Sequence, residues 1–213
     1  IRDREWILLV AETISGLEGA VTHVVAPSPW VLPCLSFGFL VLVIWRGSGR
    51  WLGSLPIGAA LAFWLMTERP PILIADTGGL VGVMQEGGRA LSKPRGDGFA
   101  ARNWLENDGD DADQELAANR TGFSGPRGTR RIELDGTRIL ALSGAKAAEA
   151  FEGGCVADVI VANKMLPKRP AGACLVLDET VLRNSGATAI WMEPDGLRTE
   201  TVAETSGSRL WTR

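Results

Sequence analysis

The chain has 213 residues and a formal net charge of −3, and its charged residues are unevenly distributed. Residues 1–67 carry four acidic and four basic side chains, whereas residues 68–213 carry 18 Lys and Arg against 21 Asp and Glu. Affinity for a phosphate backbone comes mainly from Lys and Arg, so this acidic excess argues against a strong general nucleic-acid binder. The single histidine excludes a His-rich dinuclear metal site and a Ser–His–Asp or Cys–His catalytic arrangement.

The first 23 residues predict an amphipathic or interfacial helix. Apolar residues recur at roughly helical spacing between Glu5 and Val25, with glutamates on the opposite side. The histidine, His23, lies at the end of this segment, and we interpret it as an interfacial residue rather than a ligand. Because the chain begins at Ile1 rather than Met, we interpret it as a fragment or a processed product.

Residues 24–67 predict a transmembrane helical hairpin, with helices over about 24–45 and 51–67. Residues 24–45, before Arg46, and residues 51–67, between Arg50 and Glu68, carry no charge. A helix needs about 20 apolar residues to cross a membrane. Trp residues lie at or near the four ends, where they favour the membrane interface. Arg46 and Arg50 in the turn favour the cytoplasmic side, which would place the following domain in the periplasm. A buried core hairpin is the alternative.

Residues 68–213 predict a separate α/β or α+β domain. Short apolar runs bounded by turns predict strands over 72–76, 80–85 and 89–92, and a helix over 99–105. Asp135-Gly136 is the strongest hairpin signal, between strands over 131–134 and 138–142. Strand–helix units follow, with strands over 158–162, 174–178 and 187–193 in a parallel arrangement. A last hairpin pairs 197–202 with 208–211.

No motif in this domain predicts a catalytic, metal or cofactor site. The acidic run after Asp108 fails as a calcium loop, because Ala112, Asp113 and Asn119 stand where a ligand, a glycine and a glutamate are required. Phosphate-cradling glycine loops are also absent. The alternative is a hydrolase or binding module that uses carboxylates at strand ends, namely Asp76, Asp158 and Asp178.

Two cysteines form the first candidate site. Cys155 and Cys174 each stand just before or at the start of a predicted strand, so neighbouring strands would bring them within disulfide range. A disulfide fits a periplasmic domain, since such bonds persist in oxidising compartments. Two reduced, buried cysteines are the alternative.

Basic residues form the second candidate site, a local patch for a nucleic-acid backbone. Its members are Lys93, Arg95, Arg127, Arg130 and Arg131. The alternative is that these side chains belong to ordinary solvated loops.

Several segments resemble the C-terminal end of ComEC-type competence proteins, especially the alphaproteobacterial form. The likeness is carried by residues 64–76 (WLMTERPPILIAD), 79–83 (GLVGV), 90–95 (ALSKPR), 155–162 (CVADVIVA) and 186–192 (GATAIWM). The Phe99-Ala-Ala-Arg-Asn-Trp104 helix has a counterpart in relatives. The resemblance in layout covers essentially the whole chain.

The resemblance implies a multi-pass protein of the bacterial inner membrane that takes up single-stranded DNA during natural transformation. Its implied partners are other transmembrane helices of the full-length protein, single-stranded DNA, components of the competence machinery and membrane lipid. It also implies a metallo-β-lactamase-like sandwich as the C-terminal domain, which many relatives use as a nuclease. The chain lacks the His-x-His-x-Asp-His ligand run of that domain. We therefore expect a degenerate, non-catalytic version.

Overall fold

The computed structural model describes residues 2–17 and 22–207. The helices are α1 (Arg2–Ser15), α2 (Val31–Ile44), α3 (Ser54–Leu65), α4 (Gly98–Asp108), α5 (Gln114–Ala118), α6 (Ala145–Glu149), α7 (Glu179–Ser185) and α8 (Val202–Ser206). A 3-10 helix, Ser48–Gly53, precedes α3. The strands are β1 (Ile72–Ile74), β2 (Val81–Gln85), β3 (Gly88–Leu91), β4 (Thr129–Leu134), β5 (Thr137–Leu142), β6 (Val159–Ala162), β7 (Leu175–Leu177), β8 (Thr188–Glu193) and β9 (Gly196–Thr201).

These strands form two sheets that share one core. The five-stranded sheet has the order β3-β2-β1-β8-β9 and is antiparallel throughout. The four-stranded sheet has the order β4-β5-β6-β7, with β5, β6 and β7 parallel and β4 antiparallel to β5. The core between them takes apolar side chains from both sheets, including Ile72, Ile74, Val83 and Ile190 from the first and Ile139, Val159, Val161 and Leu177 from the second.

Helices cover the outer faces of both sheets. On the five-stranded sheet, Leu80 and Leu91 pack with Ala101 and Leu105 of α4, and α5 completes this cluster. On the four-stranded sheet, residues of β5 and β6 pack with Ala148 of α6. Since β5 and β6 are covered on both faces, their sequences are almost continuously apolar rather than alternating.

The two predicted membrane spans form shorter helices than the sequence suggested. Residues 22–28 are not helical, because Pro27 and Pro29 lack a backbone N–H and the amide of Ala26 donates to the carbonyl of Asn107 at 2.8 Å. The second helix begins only at Ser54, after the 3-10 turn. At 1.5 Å per residue, α2 and α3 are about 21 and 18 Å long, against about 30 Å of hydrocarbon.

The predicted fold class is therefore wrong in its membrane hairpin. No helix within residues 2–17 and 22–207 is both long enough and apolar enough to cross a membrane. The structure is an α+β domain with two sheets, preceded by a short helical hairpin. This hairpin is packed tightly, since a Cβ added at Gly38 would lie 2.6 Å from the carbonyl oxygen of Gly53. Its base is tied to residue 25 by the Trp64 indole, which donates to the Val25 carbonyl at 2.7 Å.

Most predicted strands are present, but their pairing differs in one place. The Asp135-Gly136 hairpin is confirmed, and both residues have the positive φ, 47° and 80°, that such a two-residue turn requires. The parallel arrangement is confirmed for β6 and β7 and is wrong for β8, which pairs antiparallel with β1 in the other sheet. Strand β9 pairs with β8, and its predicted partner at 208–211 lies outside the described residues.

Candidate functional site

Four cationic side chains converge on one cavity of about 600 Å³, which we call the basic cavity. Lys93 and Arg95 come from the segment that follows β3, and Arg127 and Arg130 come from the beginning of β4 and the turn before it. Both strands are edges of their sheets, so the cavity lies between segments that flank two sheet edges. Glu115 is its only lining carboxylate. The basic cavity is therefore a local positive region in an acidic chain.

The Arg130 guanidinium has one hydrogen-bonded nitrogen and one buried nitrogen without a hydrogen-bond partner. Its Nη1 donates to the carbonyl of Gly125 at 3.0 Å, while its Nε is buried with no hydrogen-bond partner. Leaving a buried donor unsatisfied costs about 1–3 kcal/mol. Across the part of the chain that the structure describes, neither Arg130 nor Arg127 forms an ion pair. Two guanidinium groups thus remain for an anionic ligand.

Lys93 is fixed by the loop that follows it. Its Nζ lies 2.5 Å from Oδ2 of Asp97, whose Oδ1 accepts a hydrogen bond from Thr77 Oγ1 at 2.8 Å. Burial alone would raise the pKa of Asp97, but the hydrogen bonds from Lys93 and Thr77 and the charge of Lys93 leave the pKa below its usual range. Asp97 is therefore ionised at neutral pH and holds the loop in place.

Arg95 is much freer. Its guanidinium lies 3.6 Å from Glu115, and the two side chains are 85% and 59% exposed. An ion pair this exposed contributes about 0–1 kcal/mol. Arg95 can therefore exchange Glu115 for a ligand with little loss of stability.

Arg131, the fifth member of the predicted basic patch, lies elsewhere. It lines a separate cavity together with Glu133 and Arg138. Successive side chains of a strand point to opposite faces, so Arg130 and Arg131 of β4 are directed apart. The structure brings together the other four predicted residues and not this one.

Cys155 and Cys174 are joined by a disulfide, with their Cα atoms 5.6 Å apart. Cys155 lies four residues before β6 and Cys174 directly precedes β7, and these two strands are parallel neighbours. The bond therefore ties together the segments that lead into both strands. It lies beside Asp158, away from the basic cavity.

The three strand-end carboxylates do not form one site. Asp178 caps α7 by accepting from the amides of Thr180 and Val181, and Asp76 accepts from the amide of Thr77. Asp158 lies at the opposite end of β6, about 16 Å along the strand from Asn163, which shares a cavity with Asp76.

Asp158 also has a structural partner. Its carboxylate accepts hydrogen bonds from the side chain and the backbone amide of Arg138, and these bonds lower its pKa. Within the described residues, no group of three or more His, Cys, Asp or Glu side chains could hold a metal ion. We find no geometry here that supports carboxylate-based hydrolysis.

An ion network that the sequence pattern did not reveal joins β3 to the end of α4. Arg89 is fully buried, and its Nε donates to Asp108 at 2.5 Å, while Arg69 donates to the same carboxylate at 3.0 Å. Gly82 makes room for Arg89, because a Cβ there would lie 2.8 Å from the Arg89 Cδ atom. An arginine within the short, buried β3 run, beside a neighbouring strand that contains a glycine, was the available signal.

Comparison with known proteins identifies no relative. No family model, curated protein or solved structure matches the chain. The resemblance to ComEC-type proteins therefore stays a prediction.

Proposed function

We propose that the chain is part of a ComEC-type DNA-uptake protein and that its α+β domain is a non-catalytic module that binds single-stranded DNA. The DNA backbone would occupy the basic cavity. The observation that carries this proposal is the convergence of four cations, from segments more than 30 residues apart, around a single lining carboxylate.

The charge distribution supports a ligand with several phosphates. The whole chain has a net charge of −3, which repels polyanions at long range, so binding requires a local positive region. Among the described residues, Arg127 and Arg130 have no carboxylate partner, Arg95 has only an exposed one, and Lys93 is paired with Asp97. Guanidinium groups suit phosphate because they can donate two parallel hydrogen bonds. The basic cavity is therefore the part of the domain best suited to a phosphate backbone.

The location that the resemblance implies, the inner membrane with this domain on the periplasmic side, belongs to the same proposal. The Cys155–Cys174 disulfide supports it, because such bonds are typical of the periplasm and rare in the cytosol. The other implied partners, the competence machinery and membrane lipid, stay predictions.

Replacing Arg127 and Arg130 together by glutamine tests the proposal. We expect the double variant to bind fluorescein-labelled oligothymidylate about 25-fold more weakly at 0.1 M salt. Each phosphate contact to a single strand releases about 0.7 of a counterion, so the loss of two contacts removes the entropy of releasing about 1.4 counterions into 0.1 M salt. Fluorescence anisotropy with the purified full chain measures this affinity. The matched control is Arg183→Gln with Arg198→Gln, which removes two exposed positive charges outside the basic cavity and away from α4.

The site is supported only if the Arg127 and Arg130 double variant loses more affinity for oligothymidylate than the control double variant does. Equal weakening by both double variants would show that overall charge, and not the basic cavity, governs binding. Unchanged affinity in the Arg127 and Arg130 variant would contradict the proposal directly.

A further inference from the structure

We propose that Phe99, which begins α4 directly after the loop that supplies Lys93 and Arg95, is a base-stacking residue, so that the site selects single-stranded over double-stranded DNA. This inference rests on the proposed function and adds a residue that recognises bases rather than phosphates. It is carried by the exposure of Phe99 together with its position directly after a fixed loop.

Among the described residues of the α+β domain, Phe99 is the most exposed large hydrophobic side chain. Its side chain is 86% exposed, whereas the other aromatic residues described between positions 68 and 207 are all partly buried, namely Trp104, Phe123, Phe151 and Trp191. Phe99 is on the first turn of α4, where neighbouring Ala101 and Leu105 supply the contacts with the sheet. Its ring is therefore free for a ligand and is not needed for packing.

The loop that leads into α4, and so positions Phe99, is the loop that supplies Lys93 and Arg95. The Gln114 amide donates to the carbonyls of Lys93 and Gly96 at 3.2 and 2.7 Å, and so fixes the loop against α5. Asp97, two residues before Phe99, has a left-handed backbone with φ of 53° and binds Lys93 and Thr77. A ring displayed directly after such a loop loses little entropy on binding.

The combination of a basic cavity and an adjacent aromatic ring suits a single strand. Proteins that bind single-stranded DNA pair cationic groups for the backbone with aromatic side chains on which bases stack. In a duplex the bases are already paired and stacked, so Phe99 has no free base face to contact. The ring thus adds affinity for a single strand only and is tolerant of base identity.

Substitution of Phe99 separates base stacking from phosphate binding. We expect Phe99→Ala and Phe99→Leu to weaken binding of oligothymidylate by about 5- to 150-fold, and Phe99→Trp to retain it. Inorganic polyphosphate has no bases, so it should bind the Phe99→Ala chain directly with the same affinity as it binds the wild type. Met165→Ala, which removes an exposed apolar side chain outside the basic cavity, should have no effect.

The outcomes distinguish the inference from the proposed function. Wild-type affinity in Phe99→Ala or Phe99→Leu would overturn the stacking role while leaving the basic cavity in place, provided that the Arg127 and Arg130 variant binds weakly. Equal affinity of the wild-type chain for the oligonucleotide and its duplex would also overturn it. Oligonucleotide binding that depends on neither Phe99 nor the two arginines would reject both.

Discussion

Replacing Asp108 by alanine is expected to lower the free energy of unfolding by about 3–5 kcal/mol, because it leaves the buried Arg89 guanidinium without its charged partner. Asp108 and Arg89 have side chains only 3% and 0% exposed, and the two nitrogens of Arg89 that face Asp108 lie 2.5 and 3.1 Å from its oxygens. Urea denaturation followed by circular dichroism measures the change.

Glu106→Ala is the control for this prediction. Glu106 pairs with Arg102, but the two side chains are 60% and 81% exposed, so we expect a loss of at most about 1 kcal/mol. If Asp108→Ala were no more destabilising than Glu106→Ala, the buried network would not stabilise the packing of α4 on the sheet.

Removing the disulfide is expected to lower the free energy of unfolding by about 3 kcal/mol. Cys155 and Cys174 are 19 residues apart, and in the chain-entropy account closing a loop of this length restricts the unfolded chain by about that amount. The experiment compares the oxidised wild type with the Cys155→Ala, Cys174→Ala double variant in urea.

Cys34→Ala provides the control, because Cys34 is a free cysteine in α2. We expect dithiothreitol to bring the wild type close to the double variant and to leave the double variant unchanged. Equal stability of the oxidised wild type and the double variant would contradict a stabilising bond.

Local signals predicted the strands well, since each depends on a few adjacent residues. The Asp135-Gly136 turn was predicted because the turn requires particular residue types. The strands β1, β6 and β7 were predicted because a buried strand is a continuous run of apolar residues. The membrane spans were wrong for a reason that was also present in the sequence. Counting apolar residues ignored Pro27 and Pro29, which prevent the helix from beginning before Val31.

The basic cavity depends on contacts that no local pattern contains. Lys93 and Arg127 line one cavity because edge strands of two separate sheets lie near each other. A sandwich was expected from the resemblance, but no local pattern indicated which strands form its edges. The error at Arg131 arose differently. The predicted strand began at Arg131, but β4 begins at Thr129, so Arg130 and Arg131 are strand neighbours and face opposite ways.

The salt dependence of DNA binding tests the central claim most directly. If Arg95, Arg127 and Arg130, the cavity cations not held by Asp97, contact phosphates, the logarithm of the affinity for oligothymidylate should fall against the logarithm of salt concentration with a slope of about −2.1. Arg127→Gln with Arg130→Gln should reduce the slope to about −0.7. The Arg183→Gln, Arg198→Gln control should keep the wild-type slope. A slope that is the same in the wild type and in the Arg127 and Arg130 variant would contradict a DNA site in the basic cavity.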